Sequence, residues 1–290
     1  MSLHDHCLIC SAVELENLSG YEKDYLCQCK ACNFVFSRRI PTSEELNAHY
    51  EGYGRADYLS PITIKRYHEL LDKMEKYRKT NRLLDVGCGI GYFLEVAKER
   101  GWEVYGTEFT DRAVEICEAK GINMQQGVLD PKHYDAESFD VITSFEVIEH
   151  INNPQPELAN FHSLLRKGGL VYATTPNFNS LLRYRLKGAY NNICYPEHLS
   201  YYTPSTLKKV FISAGFKALS IEATGISITR LRQGTGKTEV TNAISQQSED
   251  EQLRVAMEEK TYLQIAKKFA NGILTMLGVG DSLKGWFTKL

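Results

Sequence analysis

The sequence predicts an α/β protein with a largely parallel sheet, preceded by a small cysteine-rich module. From Arg82 onward, short apolar runs alternate with helical patterns, and a glycine-rich turn follows the first run. Five of the eight cysteines precede residue 33. A chain of 290 residues with 43% apolar content can bury one main core and still form a small appended module.

The apolar runs and helical patterns locate the expected elements. Strands are predicted at 34–36, 83–86, 103–107, 139–143, 170–174, 216–222 and 226–232, and helices at 61–79, 92–100, 207–214 and 262–276. Because ligands of such sheets bind beyond the carboxyl ends of the strands, the residues that directly follow each strand are the candidates for function.

The cysteines form two C-x2-C pairs separated by 18 residues, Cys7 with Cys10 and Cys29 with Cys32. Two such pairs can close one tetrahedral zinc site, and in a reducing compartment crowded cysteines are more often metal ligands than disulfide partners. Cys27 competes with Cys29, but only Cys29 completes the second pair. The alternative is a set of buried thiols without a metal, although so short a segment has little apolar bulk with which to fold unaided.

The first main strand ends in a glycine-rich turn, with Asp85 before Gly87, Gly89 and Gly91. These glycines permit a tight turn and a close approach of the backbone to a ligand. An acidic residue before the first glycine would repel a pyrophosphate and attract an ammonium group, which favours an amino-acid cofactor over NAD. Glu108 ends the next strand, 23 residues beyond Asp85, where a carboxylate can bind two ribose hydroxyls.

Candidate acceptor-site residues follow the strand at 139–143. Glu146, Glu149 and His150 have the spacing i, i+3 and i+4, so a helix there would place them on one face. Together with His198 they could hold a divalent ion such as Mg²⁺, Mn²⁺ or Zn²⁺. Ordinary hydrogen bonding and helix capping remain the alternative for all four residues.

Four segments resemble the class I S-adenosylmethionine methyltransferases: DVGCGIGYF, YGTE, SFDVITSFEVIEH and LLRKGGLVYATTPN. The resemblance covers roughly residues 60–232. It implies a Rossmann-like, seven-stranded sheet whose last strand is antiparallel. It also implies that Asp85 and the glycine turn bind the methionine end of the cofactor, that Glu108 binds the ribose, and that the segment containing Val128 and Leu129 lies against the adenine.

The EVIEH motif, the TPN motif and a later histidine resemble the metal-dependent 2'-O-methyltransferases of small-RNA 3' ends, and related patterns occur in ubiquinone O-methyltransferases. The resemblance implies that a metal or His150 assists removal of a hydroxyl proton, with Glu149 and His198 beside it. The pattern C-x-x-C-x-x-x-F at 29–36 is similar to the zinc modules of methyltransferases that modify sugars and surface polysaccharides. It implies a zinc ribbon-like module.

These features predict five regions. They are a zinc-binding module at 1–40, a helical linker at 41–80, an S-adenosylmethionine-binding domain at 81–232, a linker at 233–250 and C-terminal amphipathic helices at 251–290. The expected reaction is O-methylation of a sugar or glycolipid hydroxyl. The alternatives are a quinone, a phenol or an RNA terminus as acceptor, or a zinc-bearing interaction protein without activity, and a NAD dehydrogenase is a more distant one.

Charge and hydropathy restrict the partners. A net charge of −2 argues against a nucleic-acid partner, because phosphate contacts require clustered lysine and arginine. The sequence lacks the pattern of a secretory signal and any apolar run long enough to span a membrane, so a cytoplasmic enzyme is expected. The C-terminal helix is expected to pack on the domain or on a second subunit. Peripheral membrane contact through Leu283, Trp286 and Phe287 is the alternative.

Overall fold

The computed structural model describes residues 2–42, 44–46, 59–227 and 260–290. The strands are β1 (Leu15–Asn17), β2 (Leu26–Cys29), β3 (Val35–Ser37), β4 (Arg82–Val86), β5 (Glu103–Glu108), β6 (Asn123–Gln126), β7 (Phe139–Phe145), β8 (Leu165–Pro176), β9 (Ser200–Tyr201), β10 (Phe216–Thr224) and β11 (Ser282–Lys289). The helices are α1 (Pro61–Met74), α2 (Tyr92–Glu99), α3 (Asp111–Ala119), α4 (Pro154–Leu164), α5 (Leu181–Leu186), α6 (Pro204–Ser213) and α7 (Thr261–Leu277).

The main sheet has seven strands in the order β10-β11-β8-β7-β4-β5-β6. Strands β4 to β8 pair in parallel, and β11 lies antiparallel between β8 and β10. This arrangement confirms the predicted Rossmann-like α/β fold. The carboxyl ends of β4, β5, β7 and β8 therefore meet at one edge of the sheet, where the candidate site residues follow them.

The antiparallel strand comes from the C-terminus, which corrects the prediction that residues 251–290 are amphipathic helices. Residues 261–277 do form α7, but 282–289 form β11, in which Leu283 and Phe287 are fully buried. The predicted alternative of membrane contact through these two side chains is therefore wrong, because both side chains pack in the hydrophobic core. The strand expected at 226–232 is not seen at residues 226–227, and the rest of that range lies outside the described residues.

The C-terminal strand could not be recognised from apolar runs because its buried side chains alternate with partly exposed ones. Phe211 of α6 stacks on Phe287 at 3.7 Å between ring centroids, so this helix covers the strand from one face. Helix α6, predicted at 207–214, begins at Pro204, after a capping box in which Thr203 and Thr206 each satisfy the other's backbone N–H group. The main sheet is therefore complete only when β10 and β11, which lie at the two ends of residues 216–289, are paired.

A second sheet joins the cysteine-rich module to the acceptor side of the main domain. Its strand order is β1-β2-β3-β9, and β9 belongs to the segment between β8 and α6. Val35 pairs with Tyr201, and the Ser37 N–H group donates to the Leu199 carbonyl at 2.8 Å. The module is therefore continuous, through main-chain hydrogen bonds, with the chain that carries His198.

Side chains strengthen this connection. The buried Asp24 accepts a hydrogen bond from the Tyr195 N–H group at 3.2 Å, and Tyr21 packs against Phe178.

None of the helices in these described ranges has both the length and the apolar character needed to cross a lipid bilayer.

Candidate active site

The glycine turn between β4 and α2 has a backbone that only glycine can form comfortably. Gly87, Gly89 and Gly91 all have positive φ angles, of 72°, 55° and 78°. A Cβ atom on Gly87 would lie 2.5 Å from a methyl carbon of Val147, and one on Gly91 would lie 2.7 Å from Ile122. The glycines therefore allow the turn to pass close to its neighbours and to a ligand, while the N–H groups of Gly87, Gly89 and Gly91 donate hydrogen bonds within the protein.

Two carboxylates border this turn. Asp85 is buried at the end of β4 and accepts a hydrogen bond from the Thr143 hydroxyl at 2.7 Å. Glu108, at the end of β5, accepts hydrogen bonds from the Gly89 N–H group at 3.0 Å and from the Phe109 N–H group at 2.8 Å. These bonds hold the Glu108 carboxylate directly over the glycine turn.

The side expected to bind adenine consists of residues after β5 and β6. Val128 is 68% exposed, whereas Leu129 is 3% exposed and packs in the hydrophobic core. Phe109 is 65% exposed and directly follows Glu108. Phe109 is not among the residues predicted from the sequence, although its position directly after the acidic end of β5 could have indicated it.

On the acceptor side, the structure brings together Glu149, His150 and His198. One ligand atom of each lies within 4.8 Å of the others. Glu149 is buried, and its Oε2 atom has no hydrogen-bond partner within the described chain. Burial raises the pKa of Glu149 well above its usual range, and the nearby charge of Glu146 adds to this effect.

The two imidazoles are oriented by backbone carbonyls. His150 Nδ1 lies 2.9 Å from the Glu197 carbonyl, and His198 Nδ1 lies 2.7 Å from the Asn192 carbonyl. Because a carbonyl only accepts, each Nδ1 atom carries the proton and each Nε2 atom retains its lone pair. Burial, followed by the neighbouring charge of His198, lowers the pKa of His150 to about 4, so this ring is neutral at physiological pH.

Glu146 is not part of this cluster. The chain turns at 148–150 instead of forming a helix, so the expectation that Glu146, Glu149 and His150 share a helical face is wrong. Glu146 has a φ angle of 52° and is exposed. A different grouping arises in its place, because Cys194, Glu197 and His198 also present ligand atoms within 4.8 Å of one another.

The cluster is close to the glycine turn and to a small cavity. Val147, two residues before Glu149, contacts Gly87, so the turn at 146–150 separates the two halves of the site. Glu149 is further tied to the acceptor segment because its carbonyl accepts from the N–H groups of Leu199 and Ser200 at 2.8 and 2.9 Å. The cavity beside the cluster is lined by Glu149, His198 and the aromatic residues Phe178, Tyr190 and Tyr201.

The four predicted cysteines also converge. The sulfur atoms of Cys7 and Cys32 are 3.4 Å apart, those of Cys10 and Cys29 are 3.6 Å apart, and all four lie within 4.8 Å of one another. Tetrahedral Zn–S bonds of about 2.3 Å place sulfur atoms roughly 3.8 Å apart, so the spacing fits one zinc ion. Cys27 lies outside this group, and its thiol points to the Phe36 carbonyl.

Comparison with known proteins places this architecture among methyltransferases. Residues 58–221, more than half of the chain, match the family described as a methyltransferase domain. A ubiquinone biosynthesis O-methyltransferase of Coxiella burnetii is 28% identical over 180 residues, which are 58% of this chain and 74% of that protein. One from Roseobacter denitrificans is 31% identical over 133 residues, 43% of this chain and 52% of that protein.

Solved structures share the fold at low identity. A SAM-dependent methyltransferase from Archaeoglobus fulgidus has a TM-score of 0.52 and 20% identity, covering 84% of this chain and 98% of that one. A geranyl diphosphate C-methyltransferase from Streptomyces coelicolor has the same TM-score and 11% identity, covering 78% and 77%. At these identities the structural similarity shows the fold alone.

Proposed function

This chain belongs to the methyltransferase domain family, and we propose that it transfers a methyl group from S-adenosylmethionine to one of two adjacent hydroxyl groups on a small acceptor. The acceptor half of this proposal is supported by the cluster of Glu149, His150 and His198 beside the glycine turn. A buried carboxyl group with an unpartnered oxygen, next to two imidazoles, fits a divalent ion and a hydroxyl acceptor better than it fits a structural core.

The cofactor half of the proposal rests on shape and charge. The glycine turn allows a ligand to approach its backbone closely, the buried carboxylate of Asp85 suits the ammonium group of the methionine end, and Glu108 suits a ribose diol. Phe109 and Val128, both exposed, offer apolar surface to the adenine. S-adenosylmethionine would supply the methyl group as an electrophile on its sulfonium centre.

The acceptor-side residues would bind the acceptor, orient its hydroxyl group and remove the proton from it. The His150 Nε2 atom, with its lone pair, accepts the proton as the acceptor oxygen forms its bond to the methyl carbon and the carbon–sulfur bond breaks. A Mg²⁺ or similar ion held by Glu149 and His198 would act as a Lewis acid that lowers the pKa of the acceptor hydroxyl, and the Nε2 lone pair of His150 would stay available for the proton. Because the pKa of His150 is about 4, this base is already neutral at pH 7.

For the acceptor, we favour an aromatic diol, in place of the sugar hydroxyl expected from the sequence. The relatives at 28% and 31% identity are named ubiquinone biosynthesis O-methyltransferases, and this likeness supports the aromatic acceptor. A sugar diol is the second candidate. It is favoured by the cysteine-rich module, which resembles those of sugar-modifying enzymes.

The N-terminal module is proposed to hold one zinc ion on Cys7, Cys10, Cys29 and Cys32. Support comes from the sulfur spacing and from the buried state of three of the four thiols. Zinc would stabilise the thiolates, because burial otherwise raises the pKa of Cys7 to about 11.

The test is transfer of labelled methyl from S-adenosylmethionine to three probes: a catechol, a monophenol and a methyl glycoside. We expect the catechol to be methylated fastest, and transfer to it to stop when EDTA is added and resume with Mg²⁺ or Mn²⁺. Glu149→Gln should lower turnover at least 100-fold. Glu146→Gln is the comparison variant and should lower activity far less than Glu149→Gln, because Glu146 lies outside the ligand group and affects Glu149 only through its charge.

Three results would contradict parts of this proposal. Activity that is insensitive to both EDTA and Glu149→Gln would leave the cluster a structural role. Preference for the glycoside would replace the aromatic acceptor with a sugar. Binding of NAD in preference to S-adenosylmethionine, measured by calorimetry, would overturn the cofactor assignment.

A further inference from the structure

Two thiols meet at the glycine turn. Cys88 lies within the turn, between Gly87 and Gly89, and Cys117 lies in α3. Their sulfur atoms are 3.6 and 3.4 Å from the same acceptor, the Gly89 carbonyl oxygen, and the two thiols also form a hydrogen bond with each other. The turn that is proposed to bind the cofactor is therefore packed against a pair of neighbouring sulfur atoms.

The backbones that carry these thiols are also close. The Cβ atom of Cys117 lies 3.8 Å from the place that a Cβ atom on Gly91 would occupy, and the Gly91 N–H group donates to the Cys88 carbonyl at 3.1 Å. One tight turn thus separates Cys88 from the part of the chain that touches α3. A disulfide requires this proximity of both the sulfur atoms and the backbones.

The surroundings of the pair favour a thiolate on one of its sulfur atoms. The hydrogen bond from Cys88 lowers the pKa of Cys117, and the charge of Lys120 lowers it further, against the opposing effect of burial. Lys120 is fixed beside the turn because its Nζ atom donates to the Ile90 carbonyl at 3.0 Å. Cys88 is partly exposed, which leaves a small oxidant an approach to the pair.

We propose that Cys88 and Cys117 are a site of reversible oxidation, at which hydrogen peroxide joins them in a disulfide that weakens cofactor binding. The thiolate sulfur attacks peroxide, so an S–O bond forms as the O–O bond breaks and hydroxide leaves. The second sulfur then displaces hydroxide from the sulfenic acid, and the S–S bond forms. In total the two thiols lose two electrons and two protons, and peroxide becomes two water molecules.

Formation of this bond has to move the glycine turn. An S–S bond is about 2.05 Å long, much shorter than a hydrogen bond between thiols, so Cys88 and Cys117 must approach each other. The turn has little room for this movement, because a Cβ atom on Gly91 would already lie 2.8 Å from the Cys117 sulfur. The Gly89 N–H group donates to the Glu108 carboxylate at 3.0 Å, so a displaced turn also disturbs the group assigned to the ribose.

The effect on affinity rests on the proposed cofactor site, whereas the disulfide itself does not. Coupling between two sites is reciprocal, so bound S-adenosylmethionine should in turn slow formation of the disulfide. In a reducing compartment such a bond would be transient, as is usual for redox-sensing cysteines, and thiol reductants would restore the open turn.

The test is treatment of the full chain with hydrogen peroxide, followed by tryptic mass mapping without reductant and by calorimetry. Trypsin places the two cysteines in separate peptides, 83–98 and 113–120. We expect a disulfide to link these peptides and S-adenosylmethionine affinity to fall about tenfold or more. Dithiothreitol should reverse both changes, and saturation with S-adenosylmethionine before treatment should slow them.

Two variants separate this site from the other thiols. Cys117→Ser cannot form the link, so its affinity should change less than about twofold on the same treatment, although its cysteine module is intact. Cys27→Ser is the matched control, because it removes a buried thiol outside the zinc ligand group and should respond as the wild type does.

Three results would overturn the proposal: no link between 83–98 and 113–120 in the oxidised wild type, an affinity that the link leaves unchanged, or an equal loss of affinity in Cys117→Ser. A wild type that forms the link but does not bind S-adenosylmethionine even when reduced would instead refute the cofactor assignment, because mass mapping detects the disulfide independently of binding.

Discussion

The two halves of the site are built in different ways. The cofactor half comes from one continuous stretch, in which the glycine turn, Glu108 and Phe109 follow β4 and β5 in order. The acceptor half combines the turn after β7, the segment around His198, and the cysteine module that pairs with that segment through β3 and β9. A change in a remote element should therefore disturb the acceptor half far more than the cofactor half.

The largest expected difference comes from the cysteine module. Cys32→Ser should remove a zinc ligand, loosen β3 and displace His198, so turnover should fall at least 100-fold while S-adenosylmethionine affinity changes less than twofold. Cys27→Ser is the control, because Cys27 is buried but outside the ligand group. Zinc content, turnover and calorimetric affinity are measured for both variants. Equal zinc loss in the two would contradict the ligand assignment.

A change in the glycine turn should disturb the cofactor half of the site instead. Gly87→Ala places a Cβ atom 2.5 Å from Val147 at a positive φ, which should cost about 2–4 kcal/mol of stability and weaken cofactor binding. Gly127→Ala also has a positive φ, of 90°, but its Cβ atom meets nothing within 4 Å, so about 1 kcal/mol is expected. Denaturant unfolding compares the two variants. Equal losses of unfolding free energy in the two variants would show that backbone strain, and not the contact with Val147, sets the cost.

The buried imidazole of the acceptor half should make stability depend on pH. The pKa of His150 is about 4 in the folded protein and about 6.5 when unfolded, so its contribution to stability is complete above 6.5 and is lost as the pH falls toward 4. In urea unfolding with EDTA present, the wild type should lose about 1–2 kcal/mol more than His150→Gln between pH 7 and pH 5. Parallel losses in the two proteins would refute the low pKa.

A smaller effect is expected from the exposed ring beside the cofactor. If Phe109 packs on the adenine, Phe109→Ala should weaken S-adenosylmethionine binding about fivefold, equivalent to about 1 kcal/mol of ring contact, and leave the KM for the acceptor unchanged. Phe109→Leu retains apolar bulk, so its S-adenosylmethionine affinity should fall between those of the wild type and Phe109→Ala. An acceptor KM that rises with Phe109→Ala would place this ring in the other half of the site.

The same contrast explains what could be predicted from the sequence. The parallel strands and the glycine turn are encoded locally, by apolar runs and by glycines whose positive φ angles a side chain would oppose. The pairing of Val35 with Tyr201 and the insertion of β11 join segments that are remote in the sequence, so no local pattern reveals them. The helical spacing that grouped Glu146 with Glu149 and His150 does not apply, because the chain forms a turn at 148–150.

The most direct test of a site with two separable halves is His198→Ala, measured for both cofactor binding and methyl transfer to a catechol. His198 lies in the acceptor segment, where its Nδ1 atom faces the Asn192 carbonyl and its ring meets that of His150. We expect S-adenosylmethionine affinity within twofold of the wild type and turnover at least 100-fold lower. Loss of cofactor affinity in parallel with turnover, or unchanged turnover, would contradict the account.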